Sequence, residues 1–258
     1  VIDMPTRFVD FMRVLVPMAG DDTTPEGEQV NIYGNHVGSW NFAATAYLNR
    51  WKVKIYYEHY FDDHSQMFFQ YGRWKDGHIG LEITFPKNRF IDTFVYEGLG
   101  TKDQTGPMLY DSFWGEFEEQ ISAKDNYYNH YLYQGWQHWG MGIGNPLLPG
   151  PIYNKNGQIT FISNRVLAHH IGFCGSPCQS LSYRMLLSYS RHWGTYDNPL
   201  NEIKKQFNSL FEVTYAPQQL KGWSFTVSGA MDRGNLLGNN YGGMLVIRKQ
   251  GIIKSGNK

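Results

Sequence analysis

The sequence lacks both a concentration of charge of one sign and a long apolar run. Its 23 Lys and Arg residues are balanced by 23 Asp and Glu residues, and no basic cluster stands out. Nucleic acid is therefore not an expected partner, because binding phosphates requires a concentrated basic face. The absence of about 18 consecutive apolar residues excludes a membrane-spanning helix. It leaves open a membrane crossing by strands, since each strand needs only about 9–11 residues of alternating apolarity.

Cysteine is also scarce. Only Cys174 and Cys178 are present, and they flank the stretch "CGSPC", where we predict a tight turn. A disulfide across that turn would suit an oxidising compartment, whereas two free, small side chains would fit the same positions. Neither cysteine is assigned a catalytic role.

Alternation of apolar and polar residues is the dominant pattern in what remains. Aromatic residues make up 16% of the chain, which also contains 28 glycines, as is typical of many strands and turns. In "SWNFAATAYL", Trp40, Phe42 and Leu48 share one face of a strand, while Ser39 and Asn41 share the other. We predict about ten strands, in or around residues 7–16, 39–48, 51–61, 79–85, 90–98, 158–173, 181–190, 211–215, 223–231 and 243–250.

Short and long connections alternate along this predicted order. Short turns are predicted at 49–50, 86–89, 174–178 and 217–222, and long loops at 18–36, 62–77, 99–157, 192–206 and 232–241. Outer-membrane barrels have this alternation because their periplasmic turns are short and their extracellular loops are long. We therefore predict an all-β, antiparallel, up-and-down transmembrane β-barrel, with both chain ends on the periplasmic side. A soluble β-sandwich has alternating strands too, but it gives no reason for alternating loop lengths.

Aromatic residues beside the short turns favour the same orientation. Trp51, Phe85, Tyr215 and Trp223 lie on the apolar faces of their strands next to a predicted short turn, where an interfacial girdle is found in barrels. No linker or repeat divides the chain, so residues 1–258 are expected to form one domain. The chain begins "VIDMPTRF" without an initiator Met or a leader, and we expect a processed chain or a fragment.

Several stretches together resemble a known family. They include "YGNHVGSWNF", "YYEHYFDDHSQMFF", "GLEITFPKNRFIDTFVYE", "DNYYNHYLYQGWQHWGMGIGNPLL" and "LKGWSFTVSGAMDRGNLLGNNYGGMLVIRKQG". In this order they closely resemble the C-terminal portion of the capsule assembly Wzi family as it occurs in Bacteroidetes. The resemblance implies an outer-membrane β-barrel lectin, without catalytic activity, that helps to assemble or retain capsular polysaccharide. It also implies a barrel with more strands than this chain supplies.

The long loop at 99–157 carries the candidate binding residues. Aromatic rings can stack on the C–H faces of sugar rings, and neighbouring polar groups can bond the sugar hydroxyls. The candidates are Asp125, Asn126, Tyr127, Tyr128, Asn129, Trp136, His138 and Trp139. The same rings could instead pack the loop onto itself or into the barrel mouth, and both uses are compatible.

Other constellations favour different functions less strongly. His59, Asp62, Asp63 and His64 match no defined metal-site spacing, so neither a metal nor another cofactor is expected. His169 and His170 should point to opposite faces of one strand. Carboxylates at Glu116, Glu118 and Glu119 raise a surface glycoside hydrolase as an alternative. The inward-facing residues Lys52, Lys54, Glu58, Glu82, Arg184 and Glu212 could line a passive, porin-like channel, unless opposite charges pair and block it.

The sequence thus predicts a non-enzymatic protein of the Gram-negative outer membrane. Its expected partners are capsular or exopolysaccharide, outer-membrane lipid and, in addition, other outer-membrane proteins. A passive channel is the main alternative.

Overall fold

The computed structural model describes residues 5–16, 18–25, 29, 33–34, 36–62, 69, 76–88, 90–107, 122–130 and 135–251. In chain order its elements are α1 Phe8–Leu15, β1 Val37–Leu48, β2 Trp51–Asp62, β3 Gly77–Thr84, β4 Thr93–Gly100, β5 Thr105–Pro107, β6 Ser122–Lys124, β7 Gln137–His138, β8 Met141–Gly142, a 3-10 helix Pro151–Tyr153, β9 Val166–Cys178, β10 Leu181–Gly194, β11 Pro199–Tyr215, β12 Trp223–Gly234 and β13 Asn240–Lys249. No helix among these residues has the length and apolarity that would let it cross a membrane.

One nine-stranded sheet dominates the structure, in the order β1-β2-β3-β4-β9-β10-β11-β12-β13. Every pair of neighbours in it is antiparallel. The predicted all-β, antiparallel, up-and-down fold is therefore confirmed. The sheet is open between β1 and β13, as expected of part of a larger barrel.

The sheet has two ends, which we name by their connections. The turn edge has connections at 49–50, 85–92, 179–180 and 216–222, and the loop edge has those at 63–76, 101–165, 195–198 and 235–239. The chain enters β1 at the loop edge and leaves β13 at the turn edge, so these two strands run in the same direction. The expectation that both chain ends lie on the turn side required an even number of strands, whereas this sheet has nine and its first strand starts at the loop edge.

The two faces of the sheet differ sharply in polarity. The apolar face carries large side chains that no second layer covers in the described part of the chain, and they remain exposed. They include Trp40, Phe42, Leu48, Trp51, Ile55, Ile79, Ile171, Phe211, Tyr215, Val227, Leu245 and Ile247. The polar face carries Lys52, Glu58, Glu82, Glu97, His170, Arg184, Ser188, Asn208, Glu212 and Asp232. This division is opposite to that of a soluble sandwich, in which the apolar faces are buried against each other.

The predicted aromatic girdle lies where it was expected. Trp51 begins β2 and packs on Phe85, with their ring centroids 5.0 Å apart. Tyr215 ends β11 and Trp223 begins β12, so all four rings lie at the turn edge. They share the apolar face of the sheet.

The strand predicted at 7–16 is wrong, because these residues form α1. Phe8, Phe11 and Leu15 recur at helical spacing, and period-two alternation was the weaker description of the segment. Asp10 caps the N-terminus of the helix. It accepts a hydrogen bond from the backbone N–H of Arg7, and its carboxylate lies 2.9 Å from the Arg7 guanidinium. The strand count is therefore nine in the main sheet instead of about ten.

The long loops predicted at 192–206 and 232–241 are also wrong. The connections there are only residues 195–198 and 235–239, because β10 to β12 extend beyond the apolar band. In this extension polar residues continue the ladder, as in the pairs Ser190 with Gln206 and Arg191 with Lys205. Backbone pairing does not require apolar side chains, so apolar alternation underestimates the length of these strands.

The turn predicted at 174–178 is displaced to residues 179–180. Cys174 and Cys178 both lie in β9 and are free cysteines. Residues four positions apart in a strand are about 13 Å apart, whereas a disulfide needs Cα atoms within about 7 Å. The strand geometry therefore excludes a bridge between them.

Tyr56 packs closely across Gly80 on the polar face. The two residues are register partners, and a Cβ atom on Gly80 would overlap the Tyr56 ring. The Tyr56 hydroxyl donates a hydrogen bond to the Glu97 carboxylate on β4. The missing side chain of Gly80 thus lets one tyrosine link β2 to β4.

We predict that Gly80→Ala destabilises the protein by about 1–3 kcal/mol, because the ring must move and its bond to Glu97 is lost. The measurement is the free energy of unfolding of the full-length protein in lipid vesicles. Gly229→Ala is the matched control, since a Cβ atom there meets nothing within 4 Å, and its effect should stay within about 0.5 kcal/mol. Equal effects of the two variants would contradict this account of Gly80.

Candidate functional site

The described residues of the connection from β4 to β9, namely 101–107, 122–130 and 135–165, include those that lie over the polar face at the loop edge. Asn164 anchors it with its side-chain amide, which donates to Asn126 Oδ1 at 2.6 Å and to the Tyr127 carbonyl at 2.8 Å. The Asn164 carbonyl accepts bonds from Thr101 Oγ1 at 2.7 Å and from Gln104 Nε2 at 2.9 Å. A fully buried asparagine therefore ties three parts of the connection together.

A buried carboxylate provides the second anchor. Asp76 accepts hydrogen bonds from the backbone N–H groups of Asp103 and Gln104, and from the Tyr127 hydroxyl at 3.0 Å. Burial raises the pKa of Asp76, and these three hydrogen bonds oppose the rise. Burial, together with the nearby Asp76 charge, raises the pKa of Tyr127 well above its ordinary value. Tyr127 therefore remains a neutral donor, and it fastens the loop to the start of β3.

Aromatic rings form the core beneath the loop. The Tyr128 ring stacks on Trp136 with centroids 5.6 Å apart and meets Phe161 edge-on at 5.1 Å. The Tyr128 hydroxyl accepts a bond from the Asn145 N–H at 3.0 Å. Tyr128 and Phe161 belong to a buried cluster that continues into the sheet through Leu99, Leu148, Val166 and Ala168.

The eight predicted binding residues thus separate into two groups. Six of them are wholly or partly buried in the loop and help to hold it, namely Asp125, Asn126, Tyr127, Tyr128, Asn129 and Trp136. Asn129, for example, exchanges two hydrogen bonds of 2.8 Å with the backbone of Phe161. Only His138 and Trp139 are exposed. The alternative use of the rings, to pack the loop onto itself, therefore accounts for most of this segment.

Trp139 stands out among them because of its backbone. It occupies the first position of the two-residue turn between β7 and β8, with φ 52°, and Gly140 follows with φ 79°. Two positive φ values define a turn that normally contains Asn-Gly, and a side chain in this conformation costs about 1–2 kcal/mol. The turn is held by Gly140, whose N–H donates to Gln137 and whose carbonyl accepts from Ile152. A Trp that is 85% exposed is thus displayed at a rigid tip.

An open cavity of about 690 Å³ lies between the loop and the polar face. The sheet contributes Ser39, Glu58, His78 and Glu97 to its wall, and His170 and Ser188 complete that side. Residues 144–148 of the loop form the opposite wall. The cavity is within the range of roughly 300–1,000 Å³ that is typical of small-ligand sites.

A bridged pair of carboxylates lies at the centre of the sheet wall. His78 Nδ1 is 3.8 Å from Glu58 Oε2, and His78 Nε2 is 3.5 Å from Glu97 Oε1. Ser39 Oγ donates to Glu58 at 2.7 Å, and Tyr56 donates to Glu97. Each carboxylate keeps unused acceptor positions, since an ionised carboxyl group has about four lone-pair sites.

Sequence reasoning found only part of this cavity. Glu58 was expected to face inward, but Ser39, His78, Glu97 and Ser188 were not singled out. Alternation assigns most of them to a polar face, yet only the register brings Glu58 beside His78 and Glu97 beside His170. His170 and His169 do point to opposite faces, as predicted. His170 contacts Ser188 at 2.6 Å, and His169 contacts Tyr96 at 2.8 Å.

The remaining candidates lie partly outside the described residues. His59 and Asp62 lie on opposite faces of β2, whereas Asp63 and His64 lie outside the described residues, as do Glu116, Glu118 and Glu119. The part of the chain that the structure describes contains no group of three or more His, Cys, Asp or Glu side chains that could hold a metal ion. Among the inward charges, Lys52 pairs with Glu82 at 3.7 Å and Arg184 with Glu212 at 3.3 Å. These pairs join neighbouring strands.

We predict that Tyr127→Phe loosens the loop by about 1–3 kcal/mol, because a buried hydrogen bond to a carboxylate is lost. The measurement is amide hydrogen exchange at residues 103 and 104, whose N–H groups share the Asp76 carboxylate. Tyr153→Phe is the control, since Tyr153 lies in the same connection but is 60% exposed. Unchanged exchange in the Tyr127 variant would show that this bond does not hold the loop.

Three comparisons with known proteins were made, and one of them found a similar solved structure. No family model matches the chain, and no curated protein matches it. Among solved structures, the chain is similar to the crystal structure of Pseudomonas aeruginosa OccK10 (OpdN), with a TM-score of 0.46 and 10% sequence identity. The likeness covers 85% of this chain and 54% of that protein, so the chain spans about half of its length.

Proposed function

We propose that this protein is part of an outer-membrane β-barrel that binds capsular or exopolysaccharide at the surface of a Gram-negative cell. In this proposal it performs no catalysis and helps to assemble or retain the polymer. The observation that carries the proposal is the combination of a sheet with an exposed apolar face and a rigid loop that displays Trp139 at the loop edge.

The exposed apolar face supports placement in a membrane. Water would penalise so many uncovered large side chains, at about 25 cal/mol per Å² of apolar surface, whereas lipid would not. The turn-edge aromatics, which include Trp51 and Trp223, fit the headgroup level of such a membrane. The loop edge then lies on the opposite side, which in this class of protein is the cell exterior.

The loop supports polysaccharide binding through its tip. An indole ring that is held in a fixed direction can stack on the C–H face of a sugar at little conformational cost. The adjacent His138 side chain is also exposed, with its ring centroid 6.2 Å from that of Trp139. It offers hydrogen-bonding groups beside the stacking surface.

The resemblance to the Wzi family is the reason for proposing capsular or exopolysaccharide as the polymer. Its motifs include the stretch that contains Trp136 and Trp139, and its members act on capsular polysaccharide. We expect each contact to be weak, and we expect retention to arise from many contacts along one polymer across neighbouring proteins.

We predict that Trp139→Ala reduces retention of the polymer on capsulated cells that express the full-length protein. One stacking contact contributes about 0.5–1.5 kcal/mol, which corresponds to roughly 2- to 10-fold weaker binding at each site. Ile159→Ala is the control, because Ile159 is 57% exposed on the same connection but has no ring. Retention that is unchanged by Trp139→Ala would count directly against the tip as a binding element. Equal losses in both variants would indicate a general effect on the loop.

Membrane placement has its own test on the apolar face. Val227 lies within β12 and is 61% exposed, so Val227→Arg should cost about 2–4 kcal/mol in a bilayer. Ala230→Arg is the matched control, because Ala230 is exposed on the polar face of the same strand. The measurement is the free energy of unfolding in lipid vesicles. A similar cost for both substitutions would contradict burial of the apolar face in lipid.

A passive channel is the second candidate, since the same fold with a charged interior would serve it. The charges of the polar face favour this reading, but the pairs Lys52–Glu82 and Arg184–Glu212 neutralise much of them. A channel would conduct ions across a planar bilayer, whereas an occluded lectin barrel would not. Nothing in the described residues specifically favours the glycoside hydrolase.

A further inference from the structure

The cavity beneath the loop contains carboxyl groups but, among its described lining, no Lys or Arg. Glu58 and Glu97 are the two carboxyl groups of its described wall. His78 lies between the two carboxylates and contacts both of them. The described lining therefore presents two carboxylates with no Lys or Arg beside them.

Two lysines of β2 on the polar face are directed away from this cavity. Lys52 pairs with Glu82, and Lys54 lies over the Tyr56 ring with its ammonium 5.1 Å from the ring centroid. Both lie closer to the turn edge than Glu58 does. Neither of these contacts involves Glu58 or Glu97.

The two carboxylates are also held in position. Glu58 is fixed by Ser39 across the β1–β2 pair, and Glu97 is fixed by Tyr56, whose ring is pinned over Gly80. Their side chains therefore lose little conformational freedom when a ligand binds.

Aromatic and hydroxyl groups complete the wall. Tyr60, Phe61 and Tyr128 supply rings, and Ser188 lies beside His170 on the far side. Aromatic rings next to carboxylates favour an organic cation as the ligand. The rings stabilise the positive charge and also cover the apolar part of the ligand.

We propose that this cavity binds an amine-bearing sugar unit of the surface polysaccharide, with the ammonium group between Glu58 and Glu97. An acidic sugar would be repelled by the two carboxylates. A neutral sugar would partly desolvate the two carboxylates without placing a positive charge beside them. An ammonium group donates up to three hydrogen bonds, which can engage both carboxylates.

This inference rests on the proposed function, because a polymer reaches the cavity only if the loop edge faces the exterior. It adds a chemical selection that the loop tip lacks. Stacking on Trp139 accepts any sugar with a C–H face, whereas the cavity distinguishes sugars by their charge.

The test uses three matched probes on the full-length protein in detergent, with isothermal titration calorimetry at about pH 6, where an amine is protonated and carboxylates are ionised. The probes are the β-1,4-linked glucosamine trimer, its fully N-acetylated counterpart and a galacturonic acid trimer. We expect the glucosamine trimer to bind at least roughly tenfold more tightly than the neutral trimer, and the acidic trimer not to bind. Equal binding of the amine and N-acetylated trimers, or no binding of the amine trimer, overturns the proposal.

Variants locate the binding in the cavity. Glu97→Gln and Glu58→Gln keep the side-chain shape and an acceptor oxygen, and each should weaken binding of the glucosamine trimer by roughly tenfold. Glu212→Gln is the control, since Glu212 lies on the same face but outside this cavity. Wild-type affinity in both cavity variants, or an equal loss in Glu212→Gln, overturns the assignment.

Trp139→Ala separates this inference from the proposed function. Loss of polymer retention on cells with unchanged trimer affinity supports both. If retention is unaffected while the glucosamine trimer still binds through Glu58 and Glu97, the loop-tip proposal fails and the cavity remains a binding site.

Discussion

The alternation of side chains between the two faces of each strand is the constraint on which the rest of this structure depends. It gives the sheet one face of exposed Trp, Phe, Ile and Val residues and one face of charges, hydroxyls and imidazoles. A shift of one residue in the register of a strand pair would move each side chain of that strand to the opposite face. Every strand pair must therefore keep a register that places apolar side chains on the same face. The same registers bring Glu58, His78 and Glu97 together on three neighbouring strands, where they form part of the cavity wall.

The loop above the cavity depends on buried polar groups more than on apolar packing. Asn164 and Asp76 each bind several partners that are distant in the sequence, and Tyr127 connects to both of them. A buried polar network of this kind specifies one arrangement, because each unpaired member would cost free energy. This rigidity lets Trp139 and Gly140 keep a strained turn at the tip.

The sequence predicted the strands of the apolar band and their antiparallel order, because alternation is a local signal. It did not predict the extensions of β10 to β12, where polar side chains continue the backbone ladder, or α1, whose helical spacing was read as a strand. In the loop it identified the right segment, but it could not separate Tyr127, which is buried on Asp76, from Trp139, which is exposed. Burial of that kind depends on partners far along the chain, such as Asp76 and Asn164.

The shared direction of β1 and β13 limits how this sheet can be completed. These strands are the two margins of the sheet, and both run from the loop edge to the turn edge. If β1 paired directly with β13, the two strands would form a parallel pair in an otherwise antiparallel sheet. Any closure that preserves the antiparallel pattern must therefore insert an odd number of strands, whose outermost members both run in the opposite sense. A cylinder that contains this wall then has an even total, as bacterial single-chain outer-membrane barrels do.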